Sequence, residues 1–385
     1  MLTRVQISNI NAINYCDIDF QKGKYKYLDN MIYQEKLVNP IAFYGSNGSG
    51  KSSFLEAILH LITLMFGEPQ KFSAFVSNNL NIVNHIKSLN EEYGESLNQV
   101  IVGNSVEQIK SHIKMFFEIE GTKYEYFIET SLLGCIENEH LIAEETRIFE
   151  RKRTSYIYND KQADITESLY PTLRRLAIDN PQDTYVSTAF AFLSNMAFID
   201  AMKRICYSKH SVEKDFRDLI VEKSAAIRKV LTEYKEFPLY DVISKISTDG
   251  QKEYFIQLNL GNQDLVMPYT YMSDGMLNQS MLLSVLLSMP ENSVLLIDEI
   301  EDALHPLTIL DFIKVAQSKN IQLIFSSHNT YLLQKLRPDQ IIFANWKNGY
   351  STYKKLSDIY PNIREINNIE KMYFSNMFDE EIKNG

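Results

Sequence analysis

Cysteine is scarce in this chain. The three cysteines among 385 residues, Cys16, Cys135 and Cys206, lie too far apart for a disulfide framework or for the paired spacing of a zinc site. Long apolar runs are lacking too: the longest, "MLLSVLLSM" at 281–289, is about half of the roughly 18 to 20 residues that cross a bilayer as a helix. No membrane partner is expected. The N-terminal "MLTRVQISNINAINYCDIDF" alternates like a strand and has neither the apolar centre nor the small-residue cleavage site of a secretory leader, so a cytoplasmic location is expected. Positive charge is in short supply, with 39 Lys and Arg against 49 Asp and Glu and a net charge of −10. That argues against a protein coated in nucleic acid, whose affinity rests on neutralising many phosphates. A local nucleic-acid site stays open, because charges more than a Debye length of about 8 Å apart are largely screened. Arg151-Lys152-Arg153, and Arg174-Arg175 with Lys203, Arg204 and Lys209, are the clusters able to form one; each alone reads as a solvated face. Internal repeats, low-complexity stretches and Pro/Gly linkers are missing as well, which points to one interleaved body.

What is present is a core and a phosphate loop. With 45% hydrophobic residues the chain is globular, and its length allows two or three units or one α/β domain with an insertion. Residues 45–52 read "GSNGSGKS" directly after the apolar run Ile41-Ala42-Phe43-Tyr44. Gly45, Gly48 and Gly50 let the backbone wrap closely around an anion, with N–H groups and a helix start aimed at it. The stretch Gly45, Ser46, Asn47, Gly48, Ser49, Gly50, Lys51, Ser52 and Ser53 is therefore expected to cradle a nucleoside triphosphate. Lys51 would reach its β- and γ-phosphates, and the Ser52 hydroxyl would coordinate Mg²⁺. A helix should follow, since Leu55, Ile58, Leu59 and Ile62 repeat at helical spacing.

Three further segments accompany the loop. "SVLLIDEIEDALHP" (293–306) reads as a buried strand ending in two carboxylates, at the end of a strand where parallel sheets place ligands. Asp298 is expected to hold Mg²⁺ through water and Glu299 to orient and deprotonate the attacking water; the blander reading has both acids capping the next helix. "IQLIFSSHNTYLL" (321–333) ends in a polar turn where His328 can sense the γ-phosphate if the two strands are neighbours. "YMSDGMLNQSMLLSVLL" (271–287) starts a helix, with Ser273 as N-cap and Gly275 allowing close approach to an anion. Elsewhere "IKMFFEIEGTKYEYFIET" (113–130) predicts a hairpin turned at Glu120-Gly121. "VSTAFAFLSNMAFIDAMKRI" predicts one apolar helix, and the segment that follows a second, with Phe216, Leu219, Ile220, Ile227, Val230, Leu231 and Tyr234 on one face. The resulting division is an N-terminal lobe over 1–135, a mostly helical insertion over 136–240 and a C-terminal lobe over 241–385.

The order Gly-x-Asn-Gly-Ser-Gly-Lys-Ser, Ser-Asp-Gly, Leu-Leu-Ile-Asp-Glu with Leu304-His305-Pro306, then Gln-Leu-Ile-Phe-Ser-Ser-His-Asn at 322–329, resembles the ABC-class AAA family ATPases of bacterial anti-phage defence. These are the RloA/AbiLi-like proteins, related to the ATPase parts of OLD nucleases and to SMC and RecF proteins. "LSDIYPNIREINNIEKMYFSNMF" (356–378), with Arg364, Glu370 and Tyr373, is similar to that family too. The resemblance covers roughly residues 1–60 and 265–378. It implies an α/β P-loop NTPase of the ABC/SMC-head type: a mixed sheet with an antiparallel β lobe and a helical insertion. It implies ATP and Mg²⁺, and a head-to-head homodimer or higher oligomer in which Ser273, Asp274 and Gly275 of one chain complete the other's site, with Asp302 to His305 at the seam. The chain departs from the general pattern by carrying Asp274 and Met276 where a second glycine and a glutamine are usual. No Q-loop glutamine is assigned among Gln70, Gln99, Gln108 and Gln162. The function expected from the resemblance is an ATPase switch. It would control a separate effector, a nuclease or toxin, since only about 57 residues follow His328, too few for a further domain of typical size. An SMC- or RecF-like DNA repair or maintenance ATPase is the alternative. A GTPase is disfavoured by the lack of an Asn/Thr-Lys-x-Asp guanine-reading element.

Overall fold

Strands that are apolar at every position have to be covered on both faces, and strands that alternate need cover on one. The chain contains both kinds, and they build two different sheets. The structure is a computed structural model that describes residues 1–33, 36–66, 110–131, 135–165, 170–209, 216–233, 240–259, 264–364 and 367–375.

The alternating strands form an eight-stranded antiparallel sheet. Its strands are β1 (Leu2–Ile10), β2 (Ile13–Asp19), β6 (Lys110–Ile119), β7 (Thr122–Ser131), β8 (Ile136–Ala143), β9 (Thr146–Lys152), β10 (Ser155–Tyr158) and β11 (Lys161–Asp164), in the order β11-β10-β9-β8-β7-β6-β1-β2. The turn between β6 and β7 is the expected one: Ile119 pairs with Thr122, and Glu120 and Gly121 both take positive φ, as a two-residue hairpin requires. Between β2 and the phosphate loop lies a two-stranded ribbon of β3 (Ile32–Tyr33) and β4 (Leu37–Val38).

The continuously apolar strands build a seven-stranded sheet in the order β13-β12-β17-β18-β5-β19-β20. Here β5 is Ile41–Tyr44, β12 Ala197–Asp200, β13 Ile205–Tyr207, β17 Val294–Asp298, β18 Gln322–Ser326, β19 Ile341–Lys347 and β20 Tyr350–Lys355. The five central strands are mutually parallel. Helix α1 (Lys51–Phe66) lies on one face of this sheet, within a core that also takes Phe43, Leu296 and Ile324 and the inner side of the antiparallel sheet. Alternate residues of the same strands, among them Tyr44, Ile297 and Phe325, face a second core that includes buried residues of α4 (Phe216–Glu233), α5 (Asp274–Ser288) and α7 (Pro306–Ser318). A three-stranded sheet of β14 (Tyr240–Ile246), β15 (Lys252–Asn259) and β16 (Asp264–Pro268) leads into α5. The architecture is α/β, with a mixed sheet beside an antiparallel lobe.

Two expectations for the middle of the chain need correction. Residues 136–164, expected within a mostly helical insertion, are β8 to β11 and extend the antiparallel sheet; "IENEHLIA" buries every second or third residue, a period too weak to mark a strand in the sequence alone. The single helix expected over "VSTAFAFLSNMAFIDAMKRI" stops at α3 (Thr184–Ser194), after α2 (Thr172–Asp179), and the chain then runs into β12. Four apolar residues in a row carry no period of their own. Their pairing with β17, almost a hundred residues further on, decides the outcome. In α4, Leu219, Ile220, Ile227 and Leu231 are buried as expected. None of the three cysteines forms a disulfide, and among the described residues no helix is long and apolar enough to cross a membrane.

Candidate functional site

The carboxyl ends of β5, β17, β18 and β12 meet along one edge of the parallel sheet, the place where such sheets put ligands. β5 ends in the glycine loop, β17 in Asp298, β18 in Ser326 and β12 in Asp200. Because β18 lies between β5 and β17, the turn carrying His328 sits between the loop and the acidic pair.

Packing explains the glycines of the loop. A Cβ on Gly50 would lie 2.0 Å from Ser351 Oγ, and one on Gly45 would lie 2.3 Å from the Ala344 carbonyl oxygen. Both obstructions come from the β19–β20 hairpin, which backs the loop and donates a 2.7 Å hydrogen bond from Tyr353 Oη to the Gly50 carbonyl. Gly48 has open space around it and needs glycine only for its φ of +76°. Lys51 is 5% exposed, and its ammonium donates to the carbonyls of Gly45 (3.1 Å) and Ser46 (3.2 Å) inside the curl of the loop. Burial lowers its pKa, and the carboxylates of Glu299, Asp298 and Glu301 oppose that shift. Ser49 Oγ is buried without a hydrogen-bond partner, an orphaned donor within a loop shaped for an anion.

Next to the lysine, Ser52 Oγ donates a 3.0 Å hydrogen bond to Asp298 Oδ1 across 246 residues of chain. Ser326 Oγ donates to the same oxygen and accepts from the Glu299 amide at 2.8 Å. One buried serine therefore fixes both the carboxylate and the backbone of the residue after it. Glu299 adopts a left-handed conformation, φ 53° and ψ 60°, a strain of about 1–2 kcal/mol for a residue with a side chain, at the entry to the short helix α6 (Ile300–Ala303). Burial raises the pKa of its carboxyl, and the hydrogen bond with Asp302 and the charges of Asp298, Asp302 and Glu301 raise it further. The amide of His328 donates to Glu301 Oε1. Burial and the nearby Lys51 charge lower the His328 pKa, offset in part by Glu301, Asp302 and Asp298. The imidazole is thus biased to neutrality, the form that can both donate and accept.

Oxygen ligands suit Mg²⁺, which prefers one or two protein groups and keeps several waters. The Ser52 hydroxyl and Asp298 carboxylate fit that pattern. Among the described residues no cluster of three or more His, Cys, Asp or Glu could hold a metal with protein ligands alone.

The Ser273–Gly275 turn is not part of this assembly. Ser273 Oγ caps α5 by accepting from the Met276 amide at 3.3 Å. Asp274 forms a 2.7 Å ion pair with Arg204 while its side chain is 78% exposed, and a Cβ on Gly275 would meet nothing within 4 Å. Among the described residues no hydrogen bond or ion pair connects this turn to the phosphate loop. Its tie to the site is indirect: Asn278 Nδ2, one turn into α5, donates to the Asp302 carbonyl at 3.0 Å.

Sequence reasoning missed two of the residues at this edge. Ser326 appeared there only as part of a motif. Asp200 was hidden inside the expected helix, yet it stands opposite Asp298 in parallel register, is 8% exposed, and holds Lys203 through both its amide (2.8 Å) and its ammonium (2.7 Å). The signal was "AFID", a short apolar run ending in an acid like "LLID". Of the glutamines considered for a Q-loop, Gln162 lies in β11 at the outer edge of the antiparallel sheet; Gln70, Gln99 and Gln108 lie outside the described residues. The C-terminal segment supports the histidine turn: Glu370, in α9 (Ile369–Phe374), which follows α8 (Leu356–Ile359), accepts from Thr330 Oγ1 (2.9 Å) and Gln334 Nε2 (2.7 Å), while Tyr373 stacks on Phe343.

Residues 41–334 match the family model described as "AAA domain, putative AbiEii toxin, Type IV TA system". No curated protein matches the chain. Among solved structures, an SMC head bound to the C-winged helix domain of ScpA is 13% identical, with 93% of this chain and 99% of that chain covered and a TM-score of 0.49. The SMC head domain from Thermotoga maritima is 12% identical over 92% of this chain and 98% of its own, with a TM-score of 0.44. An SMC head with an extended coiled coil, bound to the C-terminal domain of ScpA and derived from Pyrococcus furiosus, is 13% identical over 99% of each chain, also with a TM-score of 0.44.

Proposed function

This chain belongs to the AAA-domain family that its residues 41–334 match, and from that membership we propose that it is an ABC-class ATPase: a dimeric nucleotide switch that controls a separate effector, a nuclease or toxin, in anti-phage defence. The observation that carries the reading is the 3.0 Å Ser52–Asp298 hydrogen bond, which joins the end of the phosphate loop to the acidic strand beside Lys51 and Glu299.

Each residue has a part in the proposal. Lys51 leaves the carbonyls of Gly45 and Ser46 for the β- and γ-phosphates of ATP, while the loop amides bind their oxygens. Ser52 and Asp298 would hold Mg²⁺, which would supply neutralisation of the charge on those phosphates. Glu299 takes the proton of the attacking water; its raised pKa makes it a stronger base than an exposed glutamate. Neutral His328 hydrogen-bonds the γ-phosphate, and Glu301 and Glu370 hold the turn on which it sits. Ser273, Asp274 and Gly275 close the partner's site, which suits an exposed helix start with room for an anion. The family's description names a putative toxin of a type IV toxin–antitoxin system, which supports a role in such a system and leaves the separate effector as part of the proposal.

Steady-state phosphate release from the purified chain tests the catalytic part. Glu299→Gln is expected to lower turnover about 10²- to 10⁴-fold and to accumulate an ATP-bound dimer in mass photometry, because phosphate and metal contacts persist without the base. Wild-type turnover in that variant would remove Glu299 from the mechanism. Plating efficiency of phage on cells carrying the native operon, with and without Lys51→Ala, tests the biological part; equal protection by both would reject it.

A further inference from the structure

Two basic stretches picked out in the sequence, Arg151-Lys152-Arg153 and Arg174-Arg175, take no part in the site at the sheet edge. The fold brings one arginine of the first and both of the second to the wall of a single cavity of about 400 Å³, between the outer strands of the antiparallel sheet and α2. That volume falls within the range of small-molecule sites, roughly 300–1,000 Å³.

The cavity has a fixed, charged floor. Arg151 is 1% exposed and donates from Nη1 to the Tyr170 carbonyl at 2.8 Å and from Nε to the Arg153 carbonyl at 3.2 Å. Behind it, 3.9 Å away, lies the fully buried carboxylate of Glu139. That carboxylate accepts from Tyr126 Oη (2.9 Å) and from the Thr172 and Leu173 amides (2.6 and 2.9 Å). Glu139 thereby occupies the start of α2, so the guanidiniums and not a helix end offer positive charge to the cavity. Such a pair is costly to bury and adds little stability over an apolar core; what it provides is an arginine that cannot move.

On the walls, the Arg174 guanidinium lies 5.2 Å from the Tyr170 ring centre, and Arg175 pairs at 3.5 Å with Asp179, both about half exposed. Tyr156 adds a second aromatic side chain, and Ile178, 65% exposed, forms an apolar rim. Among the described residues the wall carries three guanidiniums and the Asp179 carboxylate, with the Glu139 carboxylate behind Arg151. Arginine forks match phosphate oxygens in pairs, and tyrosine faces accept stacked bases regardless of sequence.

We propose that this cavity is a second ligand site, separate from the phosphate loop, that binds a phosphorylated nucleoside: the phosphate on Arg174 and Arg175 above the fixed Arg151, the planar base against the tyrosines and Ile178. The same chemistry is offered by a free mononucleotide and by the phosphorylated end of a nucleic-acid strand. The inference does not depend on the ATPase reading.

Isothermal titration of the full chain carrying Lys51→Ala, which silences the phosphate loop, tests it with four probes: adenosine 5′-monophosphate, adenosine, thymidine 5′-monophosphate and 5′-phosphorylated tetrathymidylate. A 1:1 complex is expected with a phosphorylated probe, and adenosine should bind at least about tenfold more weakly than its monophosphate, one charge-assisted hydrogen bond being worth that much. Tetrathymidylate binding more tightly than the thymidine mononucleotide identifies a strand end as the source; equal or weaker binding identifies the free nucleotide. Arg174→Ala with Arg175→Ala should weaken the complex at least about tenfold. Ile178→Glu, at an exposed position that leaves every arginine in place, should do the same by repulsion, so the site is tested even if the double variant folds poorly. Absence of heat with all four probes, adenosine binding as well as its monophosphate, or affinity unchanged in Ile178→Glu would overturn the proposal.

Discussion

The chain starts two helices with glycine-bearing turns, at Gly45–Lys51 and at Ser273–Gly275, and it treats them in opposite ways. The first is knitted into its own protomer: Lys51 is buried, a Cβ on Gly45 or Gly50 would collide with the β19–β20 hairpin, and Ser52 reaches Asp298. The second is bare, with Asp274 mostly exposed, open space at Gly275 and Tyr271 72% exposed beside it. Gly45 and Gly50 are hemmed in by their own chain, whereas Gly275 has open space and no positive φ to hold it to glycine. The difference is what the proposed site, divided between two chains, would look like in one of them.

Substitutions can break that contrast at several strengths. Lys51→Ala and Gly275→Arg should each abolish turnover, by at least about 100-fold, but only Lys51→Ala should prevent a monomer from binding ATP. Equilibrium dialysis at low protein concentration separates them, and loss of binding in Gly275→Arg would mean that the second turn already serves its own chain's loop. In chemical denaturation, Gly50→Ala should cost roughly 2–4 kcal/mol through its clash with Ser351 and its φ of +100°. Gly275→Ala should fall within about 0.5 kcal/mol of wild type, and a large loss there would show a packing role not visible at that turn. Ser273→Ala, which removes the cap of α5, is expected to cost about 1 kcal/mol.

The smallest expected effect concerns pH. Glu299 must be deprotonated to act, and its pKa is raised by burial, then by the hydrogen bond with Asp302 and by surrounding carboxylates. The acid limb of kcat should therefore respond to the charges around that carboxyl. Asp302→Ala removes both a hydrogen bond and a negative charge that favour the protonated form, so the limb should move to lower pH. An acid limb at the same pH in both proteins would show that some other group sets it.

Much of the parallel sheet was legible in the sequence because its signals are local and chemically narrow. Apolar runs ending in "GSNGSGKS", "DE" and "SSH" announce strands that stop at a ligand edge, and those strands are mutually parallel neighbours. The hairpin at Glu120-Gly121 was legible for the same reason, a period of two interrupted by a residue pair that tolerates positive φ. What was hidden depends on distant pairing. "AFID" looks like the end of a helix until β17 is beside it, and Asp200 stands opposite Asp298 only then. Likewise, Arg151 and Arg174 become members of one cavity through the buried Glu139, which no spacing rule reveals.

The central claim, that each site takes its loop from one chain and its Ser-Asp-Gly turn from another, is tested most directly by mixing two inactive variants. Lys51→Ala chains and Gly275→Arg chains, combined one to one, should recover about a quarter of wild-type ATP turnover, since random pairing makes half the dimers mixed and each mixed dimer has one intact site. Turnover that stays at the level of the separate variants at every mixing ratio would contradict the account and place a complete site within a single chain.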